Sequence, residues 1–193
     1  GLQYSNPQVL IDLDKNSSET NRLLANMGTE LKLAEGLTFK SSYTWDLRQT
    51  ENTQFWNPIN GDGRSYNGRA FNNNARSDNW NWINTLQYVT SINDVHNFNI
   101  LVGSDVQRTR ITSWGAAREN LADDYFDQFQ GTYLTNVAAG NAINDIAFEA
   151  YLGSVSYNYK NKYFASGNFR RDGNSALSAG NQWGNFGGAS VGW

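Results

Sequence analysis

The stretch LLANMGTELKLAEGLTFKSSYTWD, residues 23–46, decides the fold. In its first half Leu23, Ala25, Met27, Leu31 and Leu33 share one parity, interrupted only by Thr29, while Leu24, Asn26, Gly28, Glu30 and Lys32 share the other. After Ala34-Glu35-Gly36 the pattern resumes, with Leu37, Phe39, Tyr43 and Trp45 set against Thr38, Lys40, Ser42, Thr44 and Asp46. Period two is the mark of a strand, because successive side chains leave a pleated backbone on opposite sides. Two such runs across a short glycine-containing turn predict an antiparallel hairpin with one apolar and one polar face. Each run is about eleven residues long, the length a tilted strand needs to cross a bilayer.

The same pattern recurs along the chain. Residues 80–90 place Trp80, Trp82, Leu86 and Tyr88 on one parity, and residues 96–107 do so with Phe98, Ile100, Val102 and Val106, across a turn at Ile92-Asn93-Asp94. A third hairpin pairs residues 146–159 with 163–173 across Lys160-Asn161-Lys162, and a last strand occupies residues 183–193. Residues 1–22 lack the pattern, and a strand over 9–13 stays open. The connections alternate: short turns follow one end of the strands, whereas long polar excursions over 48–79 and 108–145, and a smaller one over 174–182, follow the other. That asymmetry is the outer-membrane barrel arrangement of short periplasmic turns and long extracellular loops. Within the second excursion Ala116, Ala117, Leu121, Tyr125 and Phe126 recur at near-helical spacing and predict a few helical turns.

Composition narrows the class. Asn is the commonest residue, aromatics make up 14% and Pro only 2 residues of 193, which suits strands joined by polar turns. A formal net charge of -3 leaves no basic footprint for nucleic acid. No apolar run approaches the 18 or so residues of a transmembrane helix, and the chain does not open on a signal peptide. A single His and no Cys cannot assemble a Ser/His triad, a zinc-protease motif or a His/Cys metal centre, so neither enzyme activity nor a cofactor or metal is expected. Asn60-Gly61-Asp62-Gly63 lacks the acidic spacing of a calcium loop and predicts a tight turn.

The segment AYLGSVSYNYKNKYFASGNFRRDGNSALSAGNQWGNFGGASVGW, residues 150–193, resembles the barrel signature of SusC/RagA-type TonB-linked outer-membrane transporters. That signature reads as a strand ending in Tyr-x-Tyr, a Lys-x-Lys-Tyr turn, an Arg-x-Asp-Gly-x-Ser strand end and a Trp-rich strand. It is matched in order by Tyr157, Tyr159, Lys160, Lys162, Tyr163, Arg170, Asp172, Gly173, Ser175, Trp183, Phe186, Ser190, Gly192 and Trp193. Asn6-Pro7, the 23–46 hairpin and TLQYVTSINDVHNFNILVGSD carry the likeness over nearly the whole chain. Gly187-Gly188 stands where the family has Pro-Ser, and Ser154 where an Arg is common.

The resemblance implies an all-β fold: an antiparallel transmembrane β-barrel segment in the outer membrane, about seven strands of a barrel of about 22. Residues 1–193 would then be a partial barrel domain, with the plug domain and the TonB contact outside this chain. It further implies TonB-driven import of a large nutrient, an oligosaccharide or a peptide, with a SusD-like surface lipoprotein as partner.

Two groups of residues are candidates for function. Trp56, Tyr66, Trp114, Tyr125 and Phe126 lie in the long excursions among Asn, Asp, Gly and Arg, where flat rings beside amide and guanidinium donors suit substrate binding. Loop packing or partner docking needs such rings as well. Asp105, Arg170 and Asp172 fall on the polar parity of their strands and are expected on a wet lumen wall, chiefly in cross-strand or wall-to-plug pairs. Tyr157, Tyr159, Tyr163 and Phe164 flank a short turn, as an interfacial aromatic girdle does. The rival reading is a soluble or surface glycan-binding β-protein without transport, which would bury its apolar strand faces against a second sheet.

Overall fold

The chain forms one eight-stranded antiparallel sheet, described by a computed structural model over residues 7–123, 125, 127–137 and 140–193. After a short helix α1 (Pro7–Leu13) come β1 (Lys15–Ala34), β2 (Leu37–Trp56), β3 (Arg69–Ile92), β4 (His96–Leu121), β5 (Tyr133–Asn136), β6 (Gly140–Tyr159), β7 (Tyr163–Asn174) and β8 (Trp183–Gly192). The order is β1-β2-β3-β4-β6-β7-β8, with β5 paired to β4 off this path, so successive long strands are neighbours throughout. The chain divides into two compact units, Gly1–Arg22 with Leu47–Ser77 and Ile111–Asn144, and Leu23–Asp46 with Asp78–Arg110 and Asp145–Trp193.

In the second unit the alternation is realised as two chemically distinct faces. On the polar face Glu30 pairs with Lys40 at 3.0 Å, Thr44 donates to Asn26, Gln87 to Asn99 and Asn81 to Asp105. Direct register carries this face onward, since Ser154 opposes Asn168, Ser156 opposes Ser166 and Ser166 opposes Ser190. The other face holds Leu23, Met27, Leu31, Leu33, Ile100, Val102 and Val155, all between 40% and 65% exposed. Large apolar side chains that remain exposed along whole strands are not a packed core. Among the described residues, Ala150 is the one buried hydrophobic residue of this unit.

Tight turns fix the register of these hairpins. Lys160 and Asn161 both have positive φ (52° and 53°), and Lys162 N–H closes back on Tyr159 C=O at 3.0 Å. Asn93 and Asp94 repeat the geometry (51° and 57°). Two central residues in the left-handed region make the primed turn whose twist matches that of the flanking strands, and Asn and Asp tolerate it best. On the apolar face beside these turns the rings cluster. His96 Nδ1 lies 2.7 Å from the Tyr157 hydroxyl, Phe98 packs on Tyr157 at 4.8 Å, and Tyr159 stacks on Tyr163 at 6.4 Å. Lys160 and Lys162 sit over the Tyr159 and Tyr163 rings.

The first unit departs from the sequence expectation in three places. The strand left open at 9–13 is helix, begun by Pro7, which suits a first helical position because its missing N–H is not needed there. Most of the two long excursions is strand: β2 runs on to Trp56, β3 begins at Arg69, β4 reaches Leu121 and β6 begins at Gly140. Among the described residues of 116–126 no helical turn forms, since Ala116, Ala117 and Leu121 lie on β4, while Phe126 falls outside the described residues. Strand extensions that do not divide an apolar from a polar environment along their length need no apolar alternation, so backbone pairing extends them without leaving a period-two signal. Here a small core does form: Phe55, Ala70, Leu121 and Tyr133 are at least 93% buried, with Phe129 against them.

Candidate functional site

The Arg-x-Asp-Gly-x-Ser motif is explained residue by residue. Arg170 Nε donates to Asp172 Oδ1 at 2.6 Å, and its other arm lies 3.8 Å from Asp105, which accepts a 2.6 Å bond from Asn81. The three charged residues singled out on the polar parity are therefore one network spanning β3, β4 and β7, with the Phe148 ring 5.9 Å from the guanidinium. Gly173 lies under Trp183, its direct partner across β7 and β8. A Cβ there would come within 2.9 Å of the indole, so no other residue lets the ring lie flat on the strand. Ser175 closes the strand end: its hydroxyl accepts from Ala147 N–H at 2.8 Å while its own N–H donates to Ala147 C=O. The motif's residues thus tie neighbouring strands together.

In the first unit Trp56 and Tyr66 do meet, their rings 6.4 Å apart, but around a cation rather than an open cleft. The Arg69 guanidinium sits 4.2 Å from the Phe71 centroid, 4.5 Å from Tyr66 and 5.8 Å from Trp56, and pairs with Glu119 at 2.9 Å. Both charged side chains are about four-fifths buried, a setting in which cation–π attraction is strengthened by desolvation. The turn below is held by Asn57, 1% exposed, which donates to Asp14 from backbone and side chain and accepts from Ile59 and Asn60 N–H. Asn60 then caps a 3-10 turn, Gly61–Tyr66, where the sequence predicts a tight turn. Arg69 and Glu119 were not among the expected site residues; the signal for Arg69 was its place between Tyr66 and Phe71.

Trp114 does not join this cluster of rings around Arg69. It lies on β4, 53% exposed. Tyr125 is 85% exposed and borders a recess with Asp127, Gln128, Gln130 and Gly131. A second recess of this unit, about 530 Å³, is lined by Phe55, Phe129, Gln54, Asn72 and Gln130, with the Lys15–Asp127 ion pair, 2.5 Å, at its edge. Burial pushes the Tyr133 hydroxyl pKa up, and among the described residues no partner satisfies that hydroxyl; Arg118 lies 5.0 Å from its ring. Asp145 takes both arms of Arg108, at 2.8 and 2.6 Å, and these hydrogen bonds hold its carboxyl below the usual range.

A long-stranded antiparallel sheet that over its second unit has one polar and one exposed apolar face, tight turns and almost no buried hydrophobic side chain is the wall of a β-barrel. No family model matches the chain. TonB-dependent receptor P39 of Formosa agariphila is 31% identical over 168 residues, covering 84% of this chain and 16% of that protein. TonB-dependent receptor SusC of Bacteroides thetaiotaomicron is 23% identical over 190 residues, covering 97% of this chain and 18% of its own length. Among solved structures, "Structure of the RagAB peptide transporter" contains a chain that superposes with a TM-score of 0.84 at 19% identity, over 95% of this chain and 21% of that one. The RagAB peptide importer in its open-open state gives 0.81 at 20% identity. The chain belongs to the SusC-type TonB-dependent receptors, as a stretch of their β-barrel. It spans less than a fifth of the length of the curated relatives it matches.

Proposed function

We propose that this chain forms part of the wall of an outer-membrane barrel that imports a large nutrient, an oligosaccharide or a peptide, by TonB-dependent transport. The observation that carries the reading is the exposed apolar face of the second unit: Leu23, Met27, Leu31, Ile100 and Val102 gain burial only from lipid or from another protein surface. The polar face then lines a wet lumen, where the Asp105–Arg170–Asp172 network is inexpensive to maintain. The plug, the TonB contact and a SusD-like lipoprotein partner belong, in this reading, to parts of the assembly outside residues 1–193. The rings near Arg69 support the wall, and Trp114 and Tyr125, 53% and 85% exposed, are the candidate rings for contact with a ligand or partner.

The test uses the full-length parent protein in its outer membrane. Uptake of its nutrient should stop when the parent gene or TonB is removed and return with the parent gene. Uptake that persists without TonB, or a parent protein that is soluble and monodisperse without detergent, overturns the proposal; the second result would favour a soluble binding protein.

A further inference from the structure

One arginine of the second unit sits on the face that holds the apolar side chains. Arg171 is in step with Ala165 and Phe169 along β7 and directly opposes Tyr151 on β6 and Asn185 on β8. Between it and the turn at 160–162, the same parity of β6 and β7 carries only uncharged side chains, Val155 and Phe169 among them. The Arg171 guanidinium lies 4.8 Å from the centroid of Trp183, whose ring rests over Gly173 and stacks on Tyr151 at 6.4 Å. Arg171 is exposed, and among the described residues no carboxylate pairs with it. Glu149, opposite Gly173, accepts instead from the Tyr151 hydroxyl. A hollow of about 220 Å³ adjoins the indole, lined by Val106, Ala147, Glu149, Asn174 and Gln182.

We propose that this cluster binds a phosphorylated glycolipid of the outer leaflet: Arg171 takes the phosphate, Trp183 and the adjoining hollow take a sugar ring, and Phe169 takes an acyl chain. The inference rests on the barrel reading, which turns this face to the membrane. The height fits such a headgroup. Tyr151 and Arg171 oppose each other eight residues from the Tyr159 and Tyr163 pair, about 20 Å at a strand tilt of about 40°. An apolar band is about 25 Å tall, so the cluster lies at its far edge, on the side away from the short turns. A guanidinium left unpaired against lipid is costly, and its planar fork matches the oxygens of a phosphate. The indole offers a flat wall to sugar C–H groups, while Glu149, Asn174 and Gln182 supply acceptors and donors for hydroxyls. The hollow is smaller than the roughly 300–1,000 Å³ of a site that engulfs a whole ligand, as expected when one ring of a larger molecule enters it. Phe169 is opposed by Gly153 on one side and Gly187 on the other, so its ring stands between two shallow grooves directly below Arg171. Farther from the turn, Arg108 and Arg110 on the apolar parity of β4 outnumber Asp145, which adds attraction for an anion.

The experiment titrates the full-length parent protein, purified in detergent, with diphosphorylated lipid A and with the same lipid stripped of phosphate, and reads bound lipid by native mass spectrometry. The phosphorylated form should bind about tenfold more tightly, the ratio that one charge-assisted hydrogen bond supplies. Arg171→Gln should erase that preference and Arg171→Lys should keep part of it. Lys32→Gln, which removes a cation from the polar face, should leave it intact. Trp183→Leu should weaken both forms alike. Heat-modifiable migration in gels checks that each variant is folded, and the wild-type comparison stands without any variant. Equal binding of the two lipids by the wild type, an undiminished preference in Arg171→Gln, a lost preference in Lys32→Gln, full binding in Trp183→Leu, or displacement of the lipid by equimolar inorganic phosphate each overturn the site while leaving the barrel reading intact. A parent protein that stays soluble without detergent and binds neither lipid overturns both.

Discussion

The two units hold themselves together by different means. The second, Leu23–Asp46 with Asp78–Arg110 and Asp145–Trp193, has almost no buried hydrophobic side chain; its order comes from backbone pairing, primed turns and a polar ladder. The first, Gly1–Arg22 with Leu47–Ser77 and Ile111–Asn144, owns nearly all of the buried hydrophobic residues and a sequestered Arg69–Glu119 pair. One therefore depends on its surroundings for hydrophobic stabilisation and the other supplies a little of its own. A single substitution should have opposite sensitivities in the two.

The largest effect is expected in the second unit. Met27→Arg puts a cation on the apolar face and should cost about 2–4 kcal/mol in the parent barrel if that face meets hydrocarbon near the midplane. Ser42→Arg, on the exposed polar face of β2, should cost far less. Denaturant titration from lipid vesicles measures both; equal losses would dissolve the distinction between the faces.

In the first unit, Arg69→Ala removes the cation from three rings and leaves the Glu119 carboxylate four-fifths buried, so about 2–3 kcal/mol should be lost locally. Limited proteolysis should detect cleavage within 57–68 while the barrel keeps its heat-modifiable migration in gels. Loss of that migration would mean the units are not separable. Asn57→Ala is a smaller version of the same test: it removes the side-chain bonds among Asp14, Ile59 and Asn60, for about 1–2 kcal/mol, read by faster amide exchange at 59 and 60.

The smallest effect is the pH response of Arg108–Asp145. The folded carboxyl titrates below its unfolded value because Arg108 donates two hydrogen bonds to it, so its contribution is present at neutral pH and lost as pH falls through the lowered folded value. Exchange at 108 and 145, corrected for intrinsic rates, should rise on acidification in the wild type. In Arg108→Gln it should already be raised at neutral pH. Solvent screening of the pair, whose side chains are 46% and 32% exposed, keeps the effect modest.

The same contrast governs what the sequence made legible. Leu23, Met27 and Leu31 against Asn26, Glu30 and Lys32 had to alternate, because each strand of the second unit separates two environments; the hairpins, their turns and the shared parity of Asp105, Arg170 and Asp172 were therefore readable, but not which of them meet. The extensions of β2, β3, β4 and β6 in the first unit carry no such constraint, and their polar sequence reads as loop. Trp56 and Tyr66 were recognisable as neighbours of donors, but the donor that claims them, Arg69, is tied down by Glu119, fifty residues later in the chain. A pairing that distant leaves no trace in local spacing.

The primed turns at Asn93-Asp94 and Lys160-Asn161 also bear on how such a wall is made. Every long strand pairs with its neighbour in sequence, and these turns close over two central residues, so the first contacts of each hairpin cost little loop entropy. Hairpins of this kind form on a microsecond scale, far faster than distant strands can find one another. The chain can thus lengthen a growing edge one hairpin at a time, with each newly added strand becoming the template for the next.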